Sequence, residues 1–162
     1  MSDAVSNPYT APTANLNAPL NNGKLKQLPR FSAWWVFLLN IVTLGIYPLW
    51  WLYSRASTLN QIQSRPIALE LIYVLVAVLL GSFALGFVAG FSGEEYAVIE
   101  NSLSIAYWVL YLITAFTIRN RLHDVFIEEG HHVRTGPILT FFFSSIYLQY
   151  KINEAIDTTS NR

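Results

Sequence analysis

Apolar residues collect in four long segments of the chain, and polar residues fill the stretches between them. The segments cover residues 31–53, 67–91, 96–118 and 136–150. A helix needs about 20 apolar residues to cross a bilayer, whereas runs of about 10 to 14 are typical of re-entrant or interfacial pieces. The second and third segments therefore predict two spanning helices that form a tight hairpin. The first is long but interrupted and the fourth is short, which favours kinked or re-entrant segments for both.

Polar and helix-breaking residues interrupt the first segment shortly past its middle. They are Asn40, Thr43, Gly45 and Pro48. Glycine frees the backbone, and proline removes an N–H donor and disfavours helix for the residue before it. Irregular backbone at membrane depth persists only where protein or water covers it. We therefore expect a bend here, with Asn40 and Thr43 bonding the freed backbone groups in preference to the alternative, a ligand.

Both ends of the chain are polar. Residues 1–30 form a leader rich in Asn, Ala, Pro and Ser that ends in a basic cluster of Lys24, Lys26 and Arg30. Such a leader cannot bury enough apolar surface to fold and lacks the apolar core of a signal peptide, so it predicts a disordered segment that stays on the mature protein. Residues 155–162 form a polar tail. The membrane domain is expected to cover residues 31–154.

The composition excludes several broad classes of protein. Hydrophobic residues make up 53% of the 162 residues and charged residues 12%, and the mean hydropathy is +0.37, whereas a soluble domain carries about 25% charged residues. A net charge of zero argues against nucleic-acid binding through bulk positive charge. The absence of cysteine excludes disulfides, thiolate nucleophiles and Cys-ligated metals. The composition indicates one all-α integral membrane domain.

The positions of the Lys and Arg residues discriminate between topologies. If all four segments cross, each side of the membrane carries five cations. If only the second and third cross, all ten lie on one side, and the opposite loop 92–97 holds Glu94 and Glu95. Because cations collect on the cytoplasmic side, we predict the second arrangement, with both termini and most loops cytoplasmic. A compromise in which only the fourth segment fails to cross divides the cations seven to three.

Two motifs resemble the hallmarks of a family of small bacterial inner-membrane proteins of unknown function. The first is a T-L-G-I-Y core followed by Trp, and the second, near the C-terminus, is Y-L-Q-Y-x-I-N. Their motif positions here are Thr43, Gly45, Tyr47, Pro48, Trp50, Tyr147, Gln149 and Asn153. The resemblance extends over about residues 31–154 and implies a bacterial inner-membrane location, but no activity, substrate or cofactor. Because each motif lies late in a segment expected to dip, we expect the two segments to pack together.

A stripe of small residues runs along the second segment. Ser82, Gly86 and Gly90 follow one another at a spacing of four, which places them on one face of a helix. Small residues let helix backbones approach closely in lipid, where apolar surface alone drives no association. The stripe predicts a helix-packing seam. We expect it to face the third segment of the same chain, and the alternative is a dimer or partner interface.

Acidic residues inside the predicted spans are few. Glu70 and Glu100 each lie near the start of a span, at opposite membrane faces in the two-span topology. Intramembrane acids are suspects for proton or cation relays, but a relay needs acids near the midplane and near each other. We expect both side chains to reach the headgroups or to stabilise a helix end.

All three histidines, His123, His131 and His132, follow the third segment. Histidine with carboxylates can hold a metal, but position 127, one helical turn after His123, is Ile, so no ligand pair forms. We expect no metal here. The apolar residues Leu122, Val125 and Phe126 instead predict a short surface helix with one apolar edge, whose neighbouring cations meet anionic headgroups.

Catalytic motifs are absent from the sequence, which has no G-x-S-x-G, no glycine-rich phosphate loop and no H-E-x-x-H. We therefore expect a protein without enzymatic activity, cofactor or nucleic-acid partner. The preferred hypothesis is a scaffold or accessory protein that packs against membrane lipid or partner proteins and is a candidate homo-oligomer. The alternative is a small transporter or channel-like protein that uses broken helices at the midplane.

Overall fold

A computed structural model describes residues 23–93 and 96–160. Within these ranges the chain forms six helices and no strand. They are α1 (Gly23–Gln27), α2 (Ala33–Val42), α3 (Ile46–Ile62), α4 (Glu70–Ser92), α5 (Ala97–Glu128) and α6 (Pro137–Ser160). The predicted all-α class is confirmed for this part of the chain. Residues 1–22 of the expected leader, Glu94, Glu95 and residues 161–162 lie outside the described residues.

Helices α4 and α5 form an antiparallel hairpin. Both are long and apolar enough to cross a membrane by length and composition, and the 23 residues of α4 extend over about 35 Å. Gly93 ends α4 in the left-handed region (φ 71°), where glycine avoids steric cost. In the most apolar window, only 11% of α4 and 22% of α5 is buried. The apolar surface of this hairpin is therefore mostly not part of the protein's own core.

The first apolar segment is a helical hairpin. α2 ends at Val42, and the chain reverses through Leu44 (φ 51°) and Gly45 (φ 90°). α3 then runs back beside α2, so that the Arg55 Nη2 atom lies 3.4 Å from the Pro29 carbonyl oxygen. The two ends of the segment thus lie at the same end of the molecule. The predicted break is confirmed, and it is a complete reversal of direction.

The fourth apolar segment reverses as well. Ser144 interrupts α6 with a φ of 31° and a ψ of −107°. As a result Tyr147 returns to the start of the segment, where its Oη atom accepts a hydrogen bond from the Gly136 N–H at 2.7 Å. The tips of the two hairpins meet, since Asn40 Nδ2 donates to Ser145 Oγ at 3.4 Å. The two segments therefore pack together, as the sequence indicated.

The buried core lies at the end of the molecule opposite the α4–α5 loop. Its largest side chains are at most 2% exposed and come from five helices and the α1–α2 link: Leu25, Leu28, Trp51, Leu52, Leu59, Leu75, Ile118, Leu122, Phe126, Leu148 and Ile152. The fold is thus a compact base from which the apolar hairpins project.

Residues 23–30 differ from the expected disordered leader. Residues 23–27 form α1, and the backbone N–H groups of Lys24 and Leu25 donate to Glu129 Oε1 at 2.6 and 3.1 Å. The Lys24 ammonium also pairs with Glu128 at 2.6 Å. Leu25 and Leu28, three residues apart, are buried in the base. The buried Leu25 and Leu28 and the carboxylate of Glu129 therefore hold this segment in place, although most of its residues are polar.

Two further boundaries are corrected by the structure. The expected short surface helix is the last part of α5, and Leu122, Val125 and Phe126 are fully buried because their apolar edge faces the core. The expected polar tail continues α6 as far as Ser160, because Ala155 is also buried in the base.

Positive charge is confined to the base. Nine of the ten Lys and Arg residues are among the described residues, Arg162 being the exception. They lie in the base or at its rim: Lys24 and Lys26 on α1, Arg30 paired with Asp157, Arg55 bonded to the Pro29 carbonyl, Arg65 and Arg121 bordering one cavity with Lys24, Arg119 bonded to the Thr135 carbonyl, Arg134 in the loop before α6, and Lys151 paired with Glu154. The described cations therefore lie at one end of the molecule, from which the apolar hairpins project.

Candidate functional site

The side-chain amide of Gln149, fully buried on α6, is the centre of a polar network in the base. Its Oε1 atom accepts three hydrogen bonds, from Trp51 Nε1 at 2.9 Å and from Arg55 Nε and Nη2 at 3.2 and 2.7 Å. Its Nε2 atom donates to the Pro29 carbonyl at 3.2 Å and to Asn153 Oδ1 at 3.0 Å. One amide thus satisfies both of its polar atoms with partners from three parts of the chain.

Helical spacing positions the members of this network. Trp51 and Arg55 lie one turn apart on α3, and Gln149 and Asn153 lie one turn apart on α6, so each pair shares a helix face. The Arg55 guanidinium carbon lies 5.4 Å from the centre of the Trp51 ring, which allows a cation–π contact. Asn153 Nδ2 donates to the Phe31 carbonyl at 2.8 Å. The network therefore joins α3 and α6 to the residues that lead into α2.

Arg55 carries a buried charge that neutral groups solvate. It is 2% exposed, and its side-chain acceptors within the described ranges are Gln149 Oε1, Ser54 Oγ at 3.1 Å and the Pro29 carbonyl. Burial lowers the pKa of Arg55 to about 10, and the nearby Tyr47 phenol acts in the opposite direction. The guanidinium therefore stays charged at neutral pH. Since a buried charge without acceptors is costly, Gln149 is the group on which this part of the base depends.

The first motif builds the reversal between α2 and α3. Thr43 Oγ1 donates to the Leu39 carbonyl at 2.7 Å and accepts from the Tyr47 N–H at 2.9 Å. Gly45 takes up the left-handed conformation. Pro48 is buried in the first turn of α3, where a missing N–H costs no intrahelical bond. Thr43 thus bonds freed backbone groups, as expected.

The tryptophan of the network is Trp51, not Trp50. Trp50 is 56% exposed, and its ring lies 5.4 Å from that of Tyr47. Trp51 is fully buried. Sequence reasoning did not single out Trp51, Arg55 or Pro29. The spacing of four between Trp51 and Arg55, matched by that between Gln149 and Asn153, is the signal that could have found them.

Three polar side chains of the second motif make hydrogen bonds in the base, where Leu148 and Ile152 of the same motif are buried. Gln149 and Asn153 belong to the network, and Tyr147 Oη closes the α6 hairpin by accepting from Gly136 and donating to the Arg134 carbonyl at 3.5 Å. The structure thus brings Gln149 and Asn153 together with the helix of the first motif. It leaves Trp50 outside the network.

Within the small-residue stripe on α4, Ser82 lies on the inward face of the helix, whereas Gly86 and Gly90 do not. Ser82 Oγ donates to the Val78 carbonyl at 2.9 Å, and a Cβ atom built on Gly86 or Gly90 meets no atom within 4 Å. The inward face of α4 follows the half-buried residues Val78, Ser82, Leu85 and Ala89. A constant spacing of four drifts away from this face by about 40° per step. Gly86 and Gly90 therefore do not pack against α5, and their packing against a second copy or a partner stays a prediction.

The remaining ionisable candidates are dispersed. His123 lies on α5, whereas His131 and His132 lie in the loop after it. In the part of the chain that the structure describes, no group of three or more His, Asp or Glu residues is arranged to hold a metal. Glu70 and Glu100 lie in the first turns of α4 and α5, where negative charge interacts favourably with the helix dipole.

A second polar feature lies at the tips of the two short hairpins. A cavity of about 320 Å³ there is lined by apolar side chains and by Asn40, Tyr107, Tyr111, Ser144 and Ser145. The Asn40 Oδ1 atom is buried and has no hydrogen-bond partner among the described residues. The lining of this cavity is mostly apolar, and its polar groups include no carboxylate and no histidine.

A family profile described as a domain of unknown function, DUF4234, matches residues 31–124 of the chain. This match covers more than half of the sequence, so the chain belongs to the DUF4234 family. The match includes the first motif, α2 to α4 and most of α5, and ends before the second motif. No curated protein and no solved structure is significantly similar to the chain.

Proposed function

We propose that this member of the DUF4234 family is a multi-pass protein of the bacterial inner membrane that acts without enzymatic chemistry, as a scaffold or accessory protein packing against lipid or partner proteins. In this proposal α4 and α5 cross the bilayer. The α2–α3 hairpin and the first part of α6 enter from the cytoplasmic side and return to it. The base and both termini lie in the cytoplasm.

The separation of exposed apolar surface from charge is the observation that carries this proposal. Leu44 and Phe142, near the tips of the two short hairpins, are 86% and 72% exposed, and most of the apolar surface of α4 and α5 is also uncovered. Soluble monomers rarely expose contiguous apolar surface of this extent. The described cations lie at the opposite end, which is the distribution that the positive-inside rule favours.

The lengths of the short hairpins support insertion into one leaflet. The ten residues of α2 extend over about 15 Å, and the hydrocarbon core of a bilayer is about 30 Å thick. A hairpin of this length reaches the middle of the membrane and turns back. The reversal at Leu44 and Gly45 lies beside α6, which is the protein cover that irregular backbone needs at this depth. Two wedges in one leaflet would favour curved membrane.

The buried network favours a scaffold over an enzyme. Gln149, Arg55 and Trp51 point at one another and are at most 2% exposed. The best-formed polar cluster of the described chain therefore fixes the hairpins relative to each other and presents no reactive group to a substrate.

The cavity at the hairpin tips favours a second candidate function, that of a small transporter or channel-like protein. Its buried acceptor, Asn40 Oδ1, can bind a donor that enters from the bilayer or from water. Glu70 and Glu100 at the helix starts, away from this cavity, weigh against ion translocation. Currents above background when the purified protein is added to planar bilayers would favour this candidate over the scaffold.

Cysteine labelling tests the proposed topology, because the chain contains no cysteine. The exposed positions Ser64, Ser92, His132 and Thr158 are each replaced by Cys and treated with a membrane-impermeant maleimide, in intact and in permeabilised cells. We expect Ser92→Cys alone to react in intact cells and all four to react after permeabilisation. Reaction of Ser64→Cys or His132→Cys in intact cells would show that a short hairpin crosses the membrane, and would overturn the proposal.

A further inference from the structure

A groove between α2 and α6 combines a polar cavity and an apolar cavity end to end. The first cavity, of about 800 Å³, is lined by apolar and polar side chains and has a charged border of Arg30, Glu154 and Asp157, for which it is termed the polar cavity. The apolar cavity, of about 490 Å³, is bordered by Phe37, Phe143 and Ile146. Trp34 and Tyr150 line both cavities. The two cavities therefore form one continuous groove whose chemistry changes along its length.

The order of the two cavities follows the axis of the molecule. Arg30 and Asp157 belong to the charged base, whereas Phe37 on α2 and Phe143 on α6 lie toward the hairpin tips. Trp34 and Tyr150, which have polar and apolar parts, lie at the change from one cavity to the other, as aromatic residues do at the level of lipid headgroups. A phospholipid has the same sequence of chemistry, with its headgroup toward the cytoplasm and its acyl chains toward the midplane.

We propose that this groove binds one phospholipid whose headgroup carries both a phosphate and a primary ammonium, as in phosphatidylethanolamine. The inference rests on the proposed function, because the groove must face the bilayer. An acyl chain lies against Phe37, Phe143 and Ile146, in the part of the groove bordered by apolar side chains. The headgroup lies in the polar cavity.

The charges around the polar cavity specify the headgroup. Arg30 pairs with Asp157 at 2.8 Å, and the two side chains are 65% and 51% exposed. Glu154, paired with Lys151 at 2.6 Å, adds a second carboxylate to the border. The guanidinium of Arg30 suits a phosphate, and the carboxylates of Asp157 and Glu154 accept hydrogen bonds from a primary ammonium. A choline headgroup has no N–H to donate, and an anionic headgroup without an ammonium meets these carboxylates unfavourably.

Native mass spectrometry of the full-length protein in detergent tests the assignment. Phosphatidylethanolamine, phosphatidylcholine and phosphatidylglycerol with identical acyl chains are titrated separately. We expect phosphatidylethanolamine to be retained at a concentration about tenfold lower than the other two. Asp157→Asn, which keeps the shape of the side chain, should abolish this preference without abolishing lipid binding. Ala33→Phe, at a position that lines both cavities, should reduce retention of all three lipids.

Asp124→Asn is the matched control. Asp124 is 50% exposed and pairs with Arg121 on α5, outside the groove, so its loss should leave the preference unchanged. Equal retention of the three lipids by the wild type, or a preference that survives Asp157→Asn, would overturn the proposal. If either occurs while Ser92→Cys alone reacts in intact cells, only the lipid site is removed. If the labelling pattern fails, the lipid site and the proposed function fall together.

Discussion

Replacing Gln149 by Leu tests how strongly the base depends on the buried network. The substitution removes three hydrogen bonds to Oε1 and two from Nε2. Two of them come from the charged Arg55, and a hydrogen bond to a charged group contributes about 1.5–3 kcal/mol. Because a buried charge deprived of its partner costs about 3–5 kcal/mol, we expect the free energy of unfolding to fall by that amount. Because proteins are typically stable by about 5–15 kcal/mol, this loss would remove a large part of the total free energy of unfolding.

A double-mutant cycle separates the stranded charge from the lost packing. Arg55→Met removes the charge and leaves Trp51 as a donor to Gln149 Oε1, so it should cost about 1–2 kcal/mol. With Arg55→Met already present, Gln149→Leu no longer strands a cation. The double variant should therefore be more stable than Gln149→Leu alone, with a coupling energy of about 2 kcal/mol.

Equilibrium unfolding in mixed micelles, followed by circular dichroism and tryptophan fluorescence, measures all three variants. Gln61→Leu, at an exposed position on the same helix as Arg55, is the control for exchanging amide and apolar side chains. The reasoning is refuted if Gln149→Leu loses no more than about 1 kcal/mol relative to Gln61→Leu, the value expected for one ordinary hydrogen bond. Strict additivity in the cycle would also refute it.

Two matched pairs of substitutions test the remaining features of the motifs. Trp51→Phe should lower the midpoint of thermal unfolding by several degrees, because the Nε1 donor to Gln149 is lost from a buried site. Trp50→Phe, at an exposed position, should change the midpoint little. Equal shifts for the two variants would contradict the assignment of Trp51 to the network. Gly45→Ala should lower the free energy of unfolding by about 1 kcal/mol, because φ is 90° at this position. Gly86→Ala, in a helix with open space around it, should leave that free energy unchanged or raise it. The opposite ranking in the same unfolding assay would contradict the reversal at residues 43–45.

Local chemistry explains why the sequence predicted the reversal of the first segment. Gly45 accepts the left-handed conformation, Pro48 fits only the start of a helix, and Thr43 can bond freed backbone groups. Each of these properties belongs to one residue and needs no partner. The length of α4 followed from its apolar run for the same reason, whereas α5 continues to Glu128, past the end of its apolar run at residue 118. The reversal at Ser144 has no such local signal, since neither Gly nor Pro lies near it.

The parts that were missed depend on tertiary partners. α1 folds because Glu129, about a hundred residues away, accepts from its N–H groups. Arg55 is buried because two hairpins bring Pro29 and Gln149 to it. The orientation of Gly86 depends on which face of α4 meets α5, and a difference of one position on a helix is enough to turn a residue outward. A single sequence contains the participants in these contacts but not their pairing.

The buried charge of Arg55 fixes how the hairpins align with each other, which contact between apolar surfaces alone does not specify. In the proposed membrane location lipid is available on all sides, and apolar helices gain little there by choosing one partner surface over another. The proposal therefore requires another source of register for the hairpins α2–α3 and α6. Arg55 supplies it, because its planar fork of donors has a fixed geometry and Gln149 Oε1 accepts from two of its nitrogens and from Trp51 at once. Shifting α6 by one turn would move Gln149 by about 5 Å and strand the guanidinium. The network therefore selects one register for the two hairpins, because every alternative register leaves the Arg55 charge without its acceptor.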